Sequence, residues 1–195
     1  MPRPKTVLLA VLTVLLAVLA FRFIRSGGRE DIRPAEDVGA PASGLSEAEA
    51  RNLPRRTVTV FFARENDDRL VGEKREIPAD GVPDREARAI LDELLRGSLE
   101  GNLSPLPPGT KLEQVFVAKN GTAYVDFSRD LVARHPSGTS AETATIFAVV
   151  NSLTANLASV KNVLILVDGE ERETLSGHLR LNRPLLPNMG LIAKN

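Results

Sequence analysis

Cysteine and tryptophan do not occur among the 195 residues, and histidine occurs only twice. Without cysteine there is no disulfide, no thiolate metal site and no thiol nucleophile. There is also no cysteine to carry a lipid, so any membrane attachment has to come from the polypeptide itself. Aromatic side chains are scarce: seven Phe and one Tyr offer few platforms for stacking single-stranded bases. An excess of either charge is missing too. The 25 Lys and Arg balance 25 Asp and Glu, which removes the electrostatic footprint of a nucleic-acid binder. What is present is a globular composition, 43% apolar and 26% charged, in a length suited to one domain plus accessory segments.

The longest uncharged run, Thr6 to Phe21, stands near the N-terminus, with Arg3 and Lys5 before it and Arg22 and Arg25 after it. As helix it spans roughly 24 Å against a hydrocarbon core of about 30 Å. If Arg22 snorkels and Phe23 and Ile24 join the apolar face, the span approaches about 28 Å. Residues 1–25 therefore read as a membrane anchor. A cleaved signal peptide competes with it, since Val18-Leu19-Ala20 suits a cleavage site, and a buried helix is the third reading. Positive charge lies on both sides of the run, so the positive-inside rule leaves its orientation open.

Residues 26–56 mix Gly, Pro, Ala and Ser with scattered charge and read as a flexible linker. Within it, Ser46-Glu47-Ala48-Glu49 fits a capping box for a turn of helix ending before Pro54. From residue 57 the pattern changes to that of a folded domain reaching residue 195, mildly acidic, with 16 Lys and Arg against 19 Asp and Glu.

Thr57 to Phe62 is β-branched and aromatic, a strand. Leu70 to Ile77 is a weaker, charged strand suited to an edge, where Lys74 and Glu76 guard against unwanted pairing. Pro83, Asp84 and Glu86 suit the first turn of a helix. Its stripe is Ala87, Ile90, Leu91, Leu94 and Leu95, and Gly97 ends it. Val115–Lys119 and Thr122–Phe127 flank Asn120-Gly121, a hairpin signal. Thr139-Ser140-Ala141-Glu142 fits a capping box opening a second helix. Its stripe is Ile146, Val149, Val150, Leu153 and Leu157, which leaves Ser152 off the buried face. Val163–Val167 is a continuous apolar strand ended by Asp168-Gly169, and Leu179–Leu181 offers one more short strand. The expected fold is α+β, a two-layer sandwich of a mostly antiparallel sheet with two helices, in the order ββαββαβ.

Chemistry is harder to find. His135 lies in an Arg-His-Pro-Ser-Gly loop and His178 precedes the last short strand. Neither has a second His or a Glu at ligand spacing, so no metal site is expected. No Gly-x-Ser-x-Gly elbow accompanies them. Asp67-Asp68, Asp92-Glu93 and Glu170-Glu171 are adjacent carboxylates that point apart on helix or strand and read as solvated charge. Asp168-Gly169-Glu170-Glu171 lacks the alternating ligands of a calcium loop. Pro107-Pro108-Gly109-Thr110 lacks the lysine of a phosphate loop. No catalytic, cofactor or metal residue is assigned.

An ordered series of short motifs resembles the GerMN domain family, named for a sporulation and germination protein. It comprises Leu94-Leu95-Arg96-Gly97, Leu106-Pro107-Pro108-Gly109-Thr110, Val125-Asp126-Phe127-Ser128, Val150-Asn151-Ser152-Leu153-Thr154, Val163 to Gly169 and Gly177-His178. The resemblance covers about Thr57 to Leu191. It implies a fold similar to ring-building domains, no known catalytic activity, no cofactor and a domain outside the cytoplasmic membrane. The chain departs from GerM in having one such domain instead of two. Three functions fit: a scaffold that binds an envelope protein or assembles with itself, a peptidoglycan-binding module, and an unrecognised hydrolase. The anchor would make it a single-pass inner-membrane protein with a periplasmic or otherwise extracytoplasmic domain and no nucleic-acid partner.

Overall fold

The β-branched and aromatic run Thr57 to Phe62 forms the body of strand β1 (Arg55–Ala63), and β2 (Leu70–Pro78) returns beside it over its whole length. The computed structural model describes residues 53–193. The apolar run 6–21, the linker and its Ser46–Glu49 signal lie outside them. Among the described residues no helix is long and apolar enough to cross a membrane.

β1 already includes Arg55 and Arg56. The Pro54 carbonyl accepts from Ala79 N at 2.8 Å, and Arg56 Nη2 meets Glu86 Oε2 at 2.6 Å. A fragment cut at Thr57 would therefore lose both ties, whereas one cut at Leu53 keeps them.

Helix α1 (Pro83–Arg96) starts with proline in its first turn and stops at Gly97, whose φ of 92° suits a residue without a side chain. Ala87, Ile90, Leu91 and Leu94 are buried and Leu95 is half-buried, the stripe the spacing requires. Strands β3 (Leu112–Val117) and β4 (Thr122–Phe127) form the expected hairpin. Its loop is longer than a two-residue turn. Ala118 N donates to Thr122 O, Gly121 N donates to Ala118 O, and only Gly121, at φ 91°, is left-handed. The loop is thus a turn closed by a glycine bulge, which moves the end of β3 back to Val117. A one-turn helix α2 (Asp130–Ala133) precedes the long helix α3 (Thr139–Asn156).

α3 is the crossover that lets β5 (Asn162–Val167) pair parallel with β4. Asp168 (φ 53°) and Gly169 (φ 74°) then turn the chain into the two-residue strand β6, Glu170–Glu171. The second sheet has the order β3-β4-β5-β6, separate from the β1-β2 pair. The α+β class and the strand–helix order agree with the sequence reading, extended by α2 and β6. Leu179–Leu181 forms no strand. Leu181 is buried with its N–H on the Glu173 carbonyl, and Leu185 is the residue that bridges to Val163.

One hydrophobic cluster joins Val58, Val60 and Phe62 of β1 to Ile90 and Leu94 of α1, to Val149 and Leu153 of α3, and to Val163 and Ile165 of β5. In α3 burial goes well beyond one stripe. Asn151 and Ser152 are as buried as Ile146 and Leu153, because the helix is enclosed by β1, α1 and β5 instead of lying on a sheet face.

The enclosed polar residues complete the outer edge of β1. Phe61 N donates to Ser152 Oγ at 3.0 Å, Thr59 N donates to Asn156 Oδ1 at 2.9 Å, and Asn156 Nδ2 donates to the Thr59 carbonyl at 2.7 Å. Helix side chains thus stand where another strand would pair, as buried backbone polar groups require partners. Asn156→Ala should cost about 1–3 kcal/mol in denaturant unfolding and speed hydrogen exchange at Thr59 and its neighbours. Unchanged exchange at Thr59 would mean that this edge does not depend on Asn156.

Candidate functional site

Period-two alternation in β2 sends Glu73 and Arg75 inward while Gly72, Lys74 and Glu76 face solvent. Glu73 is fully buried, and its carboxylate organises the loop after α1. It accepts from Leu99 N at 3.0 Å, Asn102 Nδ2 at 2.8 Å and the Ser98 hydroxyl, and pairs with Arg75 Nη2 at 2.6 Å. Burial alone would raise the Glu73 pKa. The hydrogen bonds from Asn102, Ser98, Leu99 and Arg75 outweigh burial and hold it at about 2.

Arg75 also donates to the Gly97 carbonyl at 3.1 Å, which places a cation at the C-terminus of α1. Its guanidinium carbon lies 5.3 Å from the Phe62 ring centroid, within cation–π range. Glu93 Oε2 stands 3.6 Å from Arg75 Nε. Of the adjacent acids, Glu93 is therefore buried and paired instead of solvated, while Asp92, Asp67, Asp68, Glu170 and Glu171 are exposed.

The second buried carboxylate is Glu142. Helix α3 is capped by Gly138 without a side-chain bond, so the capping box does not form. Glu142 is fully buried and reaches instead to the loop after β6. It accepts from the N–H groups of Leu175 (2.9 Å), Ser176 (3.1 Å) and His178 (2.9 Å), and from the Ser176 hydroxyl at 3.1 Å. His178 Nδ1 lies 3.0 Å from Oε2. Gly177 makes the turn at φ 100°. Here too burial raises the pKa, and the backbone N–H groups of Ser176, His178 and Leu175 overcome it, to about 2.

A carboxylate behind a histidine is a familiar half of a nucleophilic triad. The other half is missing among the described residues. Ser176 donates to Glu142, and no hydroxyl bonds to His178 Nε2. His135 is placed otherwise, with Nδ1 2.7 Å from the Pro136 carbonyl and Nε2 2.9 Å from Thr145 Oγ1. Among the described residues no group of three or more His, Asp or Glu could hold a metal ion. Pro107–Thr110 is a tight turn, Thr110 N donating to Pro107 O with Gly109 at φ 86°.

Asn151 acts in the same structural way. It donates to the Asn188 carbonyl and accepts from Asn188 N, both at 3.0 Å. Sequence reasoning missed Glu73, Glu142, Asn151, Ser152 and Asn156. For Asn151, Ser152 and Asn156 the available signal was polar residues interrupting the apolar stripe from Val149 to Leu157.

The second sheet leaves an aromatic side chain outside. Its inner face carries Ala123, Val125, Phe127, Val163, Ile165 and Val167, all buried. Across the other face Phe116, Tyr124 and Leu164 lie in register on three neighbouring strands, Leu164 buried, Tyr124 half-buried and Phe116 exposed. The Phe116 and Tyr124 rings are 6.5 Å apart, and Phe116 is 55% exposed.

Residues 59–173 match the Germane family, described as sporulation and spore germination. The solved tandem GerMN domains of the sporulation protein GerM from Bacillus subtilis share 18% identity at a TM-score of 0.52, over 69% of this chain and 46% of that one. The first GerMN domain of the same protein shares 19% identity at a TM-score of 0.50, over 68% of this chain and 97% of that one. The chain thus spans less than half of the tandem structure and nearly all of the single domain. No curated protein sequence matches it significantly. By the extent of the family match, the chain belongs to the Germane family, and its fold is that of a GerMN domain.

Proposed function

We propose that this Germane-family chain is a non-catalytic module of the cell envelope, tethered by residues 1–25, with its domain outside the cytoplasmic membrane, and that it works by binding protein. The observation that supports this is where the polar groups go. The buried carboxylates Glu73 and Glu142 are consumed in holding loops, while the Phe116 ring, beside a half-buried Tyr124, is 55% exposed on the outer face of the second sheet. An exposed aromatic side chain backed by a second ring offers a surface for a protein partner.

A photo-crosslinking residue at Phe116 in growing cells should give a discrete protein adduct that the same residue at exposed Glu65 does not. Absence of any adduct, together with co-sedimentation of the domain with purified peptidoglycan, would replace protein by cell-wall polymer as the ligand. Turnover of muropeptides would restore the hydrolase reading. For topology, a C-terminal alkaline phosphatase fusion is expected to be active, and the chain to stay with membranes through a high-salt wash. An inactive fusion would place the domain in the cytoplasm.

A further inference from the structure

The two edges of the β1-β2 sheet are treated differently. Ser152, Asn156 and the bridge from Ala63 to Leu103 fill the edge of β1 from Thr59 to Ala63. On the far side of β2 only the start is occupied, where Leu70 bridges in parallel to Ile192 and accepts from Ala193 N at 2.8 Å.

Because Thr59 and Phe61 aim their backbone groups away from β2, their partners Lys74 and Gly72 aim theirs away from β1. Glu76, opposite Thr57, does the same. The N–H groups of Gly72, Lys74 and Glu76 have no partner among the described residues. The carbonyls of Lys74 and Glu76 accept from Arg75 Nη1 at 3.3 Å and Arg55 Nη2 at 2.5 Å, and each keeps a second lone pair.

We propose that this open edge pairs antiparallel with β2 of a second copy, about a two-fold axis at Arg75, so that Lys74 of each chain faces Glu76 of the other. Self-complementary charge selects the register. An axis at residue 74 sets lysine against lysine, and one at 76 sets glutamate against glutamate. An axis at 73 needs the Leu70 edge, which Ile192 holds. Only the axis at 75 joins unlike charges twice, and it does so at the residues whose backbone groups point outward. Arg75 itself, 5% exposed, points into its own domain, so the seam buries no unpaired charge. The inference rests on the assembly side of the proposed function and names the partner as this same chain. Anchoring both copies in one membrane raises their effective concentration.

The test uses the full chain in lipid vesicles, where a sequence free of cysteine leaves no background. In this register positions 74 and 76 of opposite chains have Cα atoms about 5.5 Å apart, within disulfide reach. Position 74 of one chain and 74 of the other are further offset by two residues, about 6.8 Å along the strand, beyond it. Under mild oxidation a mixture of Lys74→Cys and Glu76→Cys chains should form a disulfide dimer, and either chain alone should not. In energy transfer between labelled chains, Lys74→Glu should weaken association about tenfold, and the double change Lys74→Glu with Glu76→Lys should restore it. No dimer in the mixture, or equal dimer from either chain alone, overturns the proposal. A chain that is monomeric here yet still gives the Phe116 adduct overturns the pairing and leaves the protein-binding function standing.

Discussion

Leu153→Asp is expected to abolish the cooperative unfolding transition of a fragment spanning residues 53–195, and Ser152→Asp to destabilise that fragment nearly as much. Both positions are fully buried, and burying an unpaired carboxylate costs several kcal/mol against a total of about 5–15 kcal/mol for a domain. The helical stripe taken alone predicts a large contrast, with Ser152 tolerant. Packing on several sides of α3 removes that contrast. Ser152→Ala is the informative control, because it deletes only the acceptor of the Phe61 N–H and should cost about 1–2 kcal/mol. Thermal or urea unfolding of the three variants decides the matter. A Ser152→Asp fragment as stable as the parent would show that α3 is exposed on that side.

Glu73→Ala should be the most damaging change in the β1-β2 sheet, at about 3–5 kcal/mol, since it leaves the buried Arg75 guanidinium with Glu93, at 3.6 Å, as its one remaining carboxylate. It also strips Leu99 N, Ser98 and Asn102 of their common acceptor, so hydrogen exchange should rise across the loop of residues 98–103. Replacing Arg75 by Met in the same background should recover part of the loss, because no unpaired charge then remains. Glu73→Ala alone matching Glu76→Ala would mean that the buried pair contributes nothing. Surface changes such as Glu76→Ala ordinarily fall within about 0.5 kcal/mol.

Much of this fold could be read from periodicity. The α1 stripe, the Pro83 start, the Gly97 stop and the edge character of β2 all follow from local rules that tertiary contacts did not override. What periodicity could not supply was the partner of each polar residue. Thr139 to Glu142 satisfies a capping box in sequence, yet Glu142 serves a loop 33 residues later, and nothing local distinguishes the two uses. Glu73 opens the charged run Glu73-Lys74-Arg75-Glu76 and looks like edge protection, while alternation buries it. Asn151, Ser152 and Asn156 interrupt an apolar run, a sign of buried hydrogen bonding that gives no direction. The Gly177-His178 motif has a physical role here, since the positive φ of the glycine lets the loop bring its N–H groups and the imidazole onto one carboxylate. The placing of Phe116 beside Tyr124 needs strand register, which short strands do not declare.

The two buried acids, Glu73 and Glu142, are ionised fixtures of the fold and not reactive groups. Each carboxyl is held at about 2, below its ordinary 4.5, so the unfolded chain binds protons more readily than the folded one. Their stabilisation, about 3 kcal/mol apiece at most, is then complete above about pH 4.5 and is lost as pH falls through 2. The most direct measurement is a carboxyl carbon NMR titration of the fragment spanning residues 53–195, with Glu73 and Glu142 assigned. Both signals should remain those of carboxylates at pH 4 and move only as the domain begins to unfold in acid. A carboxyl that titrates at or above the ordinary value in the folded domain would be poised to give up or take a proton, and would contradict the structural role assigned to it.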